Sequence, residues 1–240
     1  MSLVAGVDGC PKGWCAVLID TETLEMAAVH YDTFAQLDDE LRRLTIAIDV
    51  PIGLLDCPGG RDCDREACAY LGWPRRNSVF SPPARVTLEF CGQKDLYRKA
   101  CGVNRECTDR AISQQAFWIG PKIREVDEAI TPDRESRVYE VHPEVCFAAM
   151  NDGRAMRRRK TTPEGRKERW RVLKRRFGLD LPITPALPGN LRRLCDLEDY
   201  VDALACAWTA KCIAEGEARS YPEKPPKDAK GLRMAIWAPR

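Results

Sequence analysis

The chain has 240 residues, enough for one sizeable core or for one core with a long insertion. Its 44% hydrophobic and 31% charged content is that of a globular protein, and no apolar run reaches the length of a membrane span. With a net charge of +2 and no basic-then-apolar leader pattern at the N-terminus, a cytoplasmic protein without a membrane partner is expected.

Leu3–Val7 and Trp14–Asp20 read as two short strands around a turn that holds Gly9, Pro11 and Gly13. Asp8 stands at the end of the first, between Gly6 and Gly9, which let a ligand or another backbone come close. A lone Asp-Gly pair usually bonds its own turn, but a buried carboxylate needs a partner or a cation. Leu24–Tyr31 is the third expected strand, and Asp32 or Thr33 can cap a helix through Phe34, Leu37, Leu41 and Leu44. Thr45–Gly53 is almost wholly apolar, as expected of a strand buried on both faces, and Pro51 with Gly53 ends it. Asp49 interrupts this run from inside the strand. Two buried strands that each deliver a carboxylate are what a metal site needs.

From Leu54 to Arg110 the pattern becomes irregular, with short helices expected near Asp62–Leu71 and Lys94–Cys101. No part of it carries enough apolar periodicity for a core of its own, so it reads as an insertion or lid within a single domain spanning residues 1–240. Arg75, Arg76 and Arg85 are loop cations that could reach phosphates. Twelve cysteines contain no Cys-x-x-Cys pair and only His30 and His142 accompany them, which favours buried reduced thiols over structural zinc. Ser113–Ile130 has helical character, with Pro121 in a first turn or at a kink. Arg137–Pro143 reads as a strand whose alternation puts Glu140 and His142 on one face.

Residues 151–178 hold twelve Lys or Arg against three Asp or Glu, which leaves the rest of the chain acidic. Thr162 as cap, Pro163 at the first helical position and Gly178 beyond the end bracket a basic helix. Arg157, Arg158, Arg159 and Lys160 precede it as four consecutive cations. A polyanionic partner, nucleic acid in particular, accounts for such an island; a solvated helix face is the plainer alternative. The last helix runs from Asp196 to Gly216, with Asp199 and Asp202 three residues apart on one face. A first-turn acid is stabilised by the helix dipole, which explains Asp199 without function. Asp202, set among Val201, Ala203, Leu204 and Ala205, has no such explanation.

The series Gly6-Val-Asp8, Ile48-Asp49 and Asp199-Tyr-Val-Asp-Ala-Leu204 resembles the ribonuclease H-like fold, in the branch that holds the Holliday-junction resolvases. Val7-Asp-Gly-Cys-Pro-Lys-Gly-Trp14, Ile48-Asp-Val-Pro-Ile-Gly53, Ser113-Gln-Gln-Ala-Phe117 with Pro121-Lys-Ile123, Glu140-Val-His-Pro-Glu144 and Asp202-Ala-Leu204 resemble more closely a family of predicted ribonuclease H-like nucleases, domain of unknown function 429. The resemblance implies an α/β fold: a mixed five-stranded sheet of three antiparallel and then parallel strands, flanked by helices, with a long insertion after strand four. It further implies that Asp8, Asp49 and Asp202 hold Mg²⁺ or Mn²⁺ for phosphodiester hydrolysis by two ions. Asp199 or Glu140 would complete the second ion or orient the water, and Arg157–Lys160 would hold nucleic-acid phosphates, in a monomer or a homodimer. A phosphotransferase of the actin type, whose first strand also ends in Gly-Asp-Gly, and a non-catalytic nucleic-acid-binding protein are the rival readings.

Overall fold

A computed structural model of the protein describes residues 2–178 and 186–240. Four strands and one helix come first: β1 (Leu3–Cys10), β2 (Gly13–Asp20), β3 (Met26–Tyr31), α1 (Phe34–Glu40) and β4 (Thr45–Ile48). After them come α2 (Asp62–Leu71), α3 (Tyr97–Thr108), α4 (Gln114–Ala129), β5 (Val138–Glu140), α5 (Pro143–Met150), α6 (Pro163–Phe177), α7 (Leu197–Ala214), β6 (Ala218–Tyr221) and β7 (Ile236–Pro239). The main sheet has the order β3-β2-β1-β4-β5, antiparallel from β3 to β1 and parallel from β1 to β5. This is the expected mixed sheet with helices on both faces. Among the described residues no helix is long and apolar enough to cross a membrane.

The helix boundaries follow local chemistry. Thr33, Ser113 and Thr162 each accept a backbone N–H of the first turn they cap, and Gly178 ends α6 in the left-handed conformation. Pro121 lies in the interior of α4 and not in its first turn. The carbonyl it frees, that of Phe117, accepts the N–H of Gly92 at 3.1 Å. The insertion thus supplies the bond that the proline removes.

Strand alternation sorts the core into two halves. Ala5, Val7, Ile46, Ile48 and Val138 pack with Phe34, Leu37, Ile123 and Val126 of α1 and α4. Val4, Cys10 and Ala47 pack on the other face with α5, α6 and α7, through residues such as Phe147, Leu173, Leu204 and Ala207. Helix α7 lies hard against β1 at Gly6, where a Cβ would fall 1.9 Å from the Ala207 nitrogen and 2.3 Å from the Ala203 oxygen. Gly6 is therefore required for the close approach that brings the start of α7 to Asp8.

The strands differ in detail from the expected ones. β1 continues past Asp8 to Cys10, β3 begins at Met26 because Leu24 turns in a positive-φ conformation, and β4 ends at Ile48, one residue before Asp49. The Asp49 amide still donates to Val7 at 3.0 Å. The hairpin β6–β7, not foreseen, reaches the main sheet through a parallel bridge between Val141 and Trp237. Within the insertion, α2 packs its Cys63, Ala67 and Leu71 against Val145 and Ala148 of α5 and Ile236 of β7. All twelve cysteines are free, and eight are buried as small apolar groups.

Candidate active site

Asp8, Asp49 and Asp202 lie on one side of the sheet. Asp8 follows the β1 parity of Val4 and Gly6, and Asp49 the β4 parity of Ala47, so both point to the face that α7 covers. Asp202 lies one residue before Ala203, whose carbonyl touches the Gly6 position. With Asp199 they line a cleft of about 550 Å³ that also takes in Glu140, His142, Glu144, Arg159 and Lys160. Asp202 is 1% exposed and Asp8 8%.

The charges in this group are not balanced. Burial raises the Asp8 carboxyl well above the usual carboxylate range, and the neighbouring Asp49 and Asp202 raise it further. Asp49 is pushed up to about 6, chiefly by burial, with Asp202 adding to the rise while His142 and Lys160 oppose it. Asp199 is also raised to about 6 by burial, partly countered by the Asp196 amide that its Oδ2 accepts at 2.9 Å. That bond and the reciprocal one make a capping box at the start of α7. Asp199 thus has the structural role its position predicts as well as a place in the cleft.

The cation answering the group is Lys160, whose Nζ donates to Asp202 Oδ2 at 2.5 Å. Burial alone lowers its pKa, but Asp202, Asp8 and Asp49 more than reverse this, so the ammonium stays charged. Of the four consecutive cations, then, Lys160 is turned onto the carboxylates, not held free for an outer phosphate. Arg159 lines the cleft. Arg157 and Arg158 are exposed, with their backbone amides bonded to the Glu168 carboxylate at 2.9 Å each. Much of the rest of the basic island is spent within the fold. Arg166 pairs with Glu198, and Arg169, 1% exposed, pairs with Glu144.

Glu140 takes a different part from the expected one. In register with Ile48 and two residues from Val138, it lies on the opposite face of the sheet from the aspartates. Its carboxylate accepts two bonds from Arg61, at 2.6 and 2.8 Å, and one from the Ile52 amide at 2.7 Å. Arg61 also bonds both oxygens of Asp64, at 2.6 and 3.2 Å. Although burial by itself lowers the Arg61 pKa, Asp64 and Glu140 raise it above its ordinary value, so the guanidinium remains cationic. Cys63, Asp64 and Glu140 are the one described trio whose ligand atoms all lie within 4.8 Å of one another. Arg61 already fills the place of a cation there.

The loop arginines likewise serve the fold. Arg75 donates to the carbonyls of Met156 and Arg157, and Arg85 pairs with Asp56, Asp127 and Asp228. The motif residues Trp14 and Lys122 meet in the same way: Trp14 Nε1 donates to Glu125 at 2.9 Å, and Lys122 donates to the Gly13 carbonyl at 2.7 Å. Arg61, His142 and Glu144 line the cleft but were not expected as site residues, although the last two fall in the motif Glu140–Glu144. The signal for the last two was the crowding of three titratable residues into Glu140–Glu144 as a strand ends.

The chain belongs to the family described as protein of unknown function DUF429, which matches residues 6–227. No curated protein and no solved structure matches it.

Proposed function

We propose that this member of the family is a metal-dependent nuclease on a ribonuclease H-like plan, with Asp8, Asp49 and Asp202 as the residues that hold Mg²⁺ or Mn²⁺. The observation that carries the reading is that these three carboxylates, from β1, the end of β4 and α7, line one cleft on one face of the sheet and act on one another's charge. The donors are hard oxygens, as these ions require, and the Asp8 and Asp49 carboxyls are raised first by burial and then by the charge of their neighbouring aspartates. When bound, such ions supply Lewis-acid activation of water and stabilisation of the leaving oxygen of a phosphodiester.

The chain's own groups have distinct parts. Lys160, always protonated, cannot act as a base; it neutralises part of the carboxylate charge and offers N–H donors to a phosphate oxygen. Arg159 and Thr161, which line the cleft beside Lys160 in the chain, would hold the phosphate. Asp199 is a proton acceptor only above about pH 6, so activity that depends on it rises toward the alkaline side. Arg157 and Arg158 extend the positive surface outward for the backbone of DNA or RNA.

The test is hydrolysis of single-stranded, duplex and branched DNA and RNA by the purified chain with Mg²⁺ or Mn²⁺. Cleavage that needs the cation and is absent in Asp202→Asn supports the reading. Binding without cleavage of every substrate, unchanged in Asp202→Asn, would replace it with a non-catalytic nucleic-acid-binding role.

A further inference from the structure

Among the described residues four large apolar side chains stand exposed, and two of them are tryptophans: Trp73, 79% exposed, and Trp118, 55% exposed. A scattered aliphatic group on a surface needs no explanation, but an indole left in water forgoes more burial than most side chains can offer. Both tryptophans belong to segments that line the cleft. Pro74 and Arg75, directly after Trp73, line it, as do Gln115 and Ile119 of α4. Trp118 stands three residues from Gln115 and so shares its helix face, where an edge contact to Phe117 at 5.3 Å steadies the ring. The Trp73 indole has no ring contact or hydrogen-bond partner among the described residues.

The Trp73 segment is pinned at two points. Arg75 donates to the carbonyls of Met156 and Arg157 at 2.8 and 3.1 Å, and the Ser78 carbonyl lies 3.2 Å from His142 Nε2. The single turn Arg75–Ser78 therefore runs from the start of the basic run Arg157–Lys160 to a residue that lines the cleft. Arg76 in that turn, and Arg157 and Arg158 beyond the Arg75 bonds, are exposed cations. An exposed indole beside exposed cations can hold a nucleic-acid strand by its bases and its phosphates together. A duplex keeps both faces of each base covered by the stack, whereas an unpaired base can lay one face on an indole.

We propose that Trp73 and Trp118 are stacking platforms for unpaired bases, so that the cleft takes single-stranded nucleic acid or the unpaired segment of a folded one. This names the substrate class of the nuclease reading and rests on that reading in one respect, that nucleic acid enters the cleft. It does not rest on the cation chemistry. Stacking is indifferent to the identity of the base and to the sugar, so unpaired DNA and unpaired RNA are both expected to bind.

The probes are oligothymidine, oligouridine and a DNA duplex of the same length, titrated in EDTA so that binding is read without cleavage. The readouts are anisotropy of a labelled strand and quenching of tryptophan emission. The expected result is tighter binding of the single strands than of the duplex, with quenching that Trp73→Ala diminishes. Trp73→Ala should weaken single-strand binding about tenfold or more, Trp118→Ala should act in the same direction, and Trp73→Phe should restore most of the loss. The salt slope should keep its wild-type value in all three, since no phosphate contact is removed. Trp73 is so exposed that its truncation takes nothing from the core, and an unchanged melting temperature identifies the lost affinity as lost stacking. The proposal is overturned if the duplex binds wild type as tightly as the single strands do, or if both alanine variants keep the wild-type single-strand affinity. Either result leaves the nuclease reading to its own test of cation-dependent cleavage. No binding of any strand, in EDTA or with Mn²⁺, overturns both readings.

Discussion

The cleft holds two groups of acids, buried except for the half-buried Asp49, that differ in how their charge is answered. Asp64 and Glu140 surround a guanidinium whose planar fork bonds both carboxylates, with a backbone amide taking up a further lone pair. On the other face, Asp8, Asp49 and Asp202 face the Lys160 ammonium, which among the described residues bonds Asp202, and burial holds Asp8 and Asp49 in part toward the neutral form. Burial of a carboxylate is common to both, so burial alone does not mark a functional acid. What separates them is incomplete satisfaction, the condition in which an added cation is favourable.

The largest effect should come from breaking the satisfied group. Arg61→Ala leaves two carboxylates buried and unpaired, and a loss of about 3–5 kcal/mol is expected in denaturant melts. Mn²⁺ should not restore that stability; if it does, the Arg61 group is itself a cation site and the contrast fails.

Next is the joint that builds the other group. Gly6→Ala places a Cβ against the α7 backbone, and overpacking of about 1–3 kcal/mol is expected. Because α7 carries Asp202, the same change should weaken Mn²⁺ binding, read by calorimetry. Wild-type affinity in the variant would mean that the approach of α7 to β1 does not set the site.

Neutralising one unsatisfied acid should have a smaller effect of opposite sign. Asp49 has a folded pKa of about 6 against an ordinary 3.8, so protonation favours the folded state. The stability it contributes is full below about pH 4 and is lost as pH rises through about 6. In EDTA at pH 7.5, Asp49→Asn should therefore be as stable as wild type or more stable, by on the order of 1 kcal/mol, with the difference vanishing toward pH 4. Destabilisation at pH 7.5 would make Asp49 a structural acceptor.

The smallest effect concerns the outer surface. Reversing the charges of Arg157 and Arg158 should reduce the slope of nucleic-acid affinity against salt by about two phosphate contacts. An unchanged slope returns this segment to a solvated face.

The helix caps at Thr33 and Thr162 were legible in the sequence because they rest on local chemistry. The sheet order and the grouping of Asp8, Asp49 and Asp202 were expected from the family resemblance, since local periodicity does not say which strands are neighbours or which face a helix covers. The part taken by Glu140 was not legible. Alternation relates it to Val138, but only the register with β4 says which face of the sheet that is, and the expected extension of the alternation to His142 fails because β5 ends at Glu140 and His142 caps α5. Lys160 was legible as a cation, yet its direction depends on the loop before α6 folding over the cleft, a contact 42 residues apart in the chain. Arg61 lay in a stretch without periodicity, and its partner Glu140 is 79 residues away. Long-range ion pairs leave no local pattern.

The most direct test of the contrast is the shift in melting temperature between EDTA and excess Mn²⁺, measured for wild type, Asp8→Asn, Asp49→Asn, Asp202→Asn and Glu140→Gln. A cation that binds only the folded state stabilises it increasingly with concentration. The account predicts a concentration-dependent rise in wild type, a rise of similar size in Glu140→Gln, and a small or absent rise in the three aspartate variants. Aspartate variants that keep the wild-type shift, or a Glu140→Gln variant that loses it, would contradict the assignment of the cation to the aspartate face.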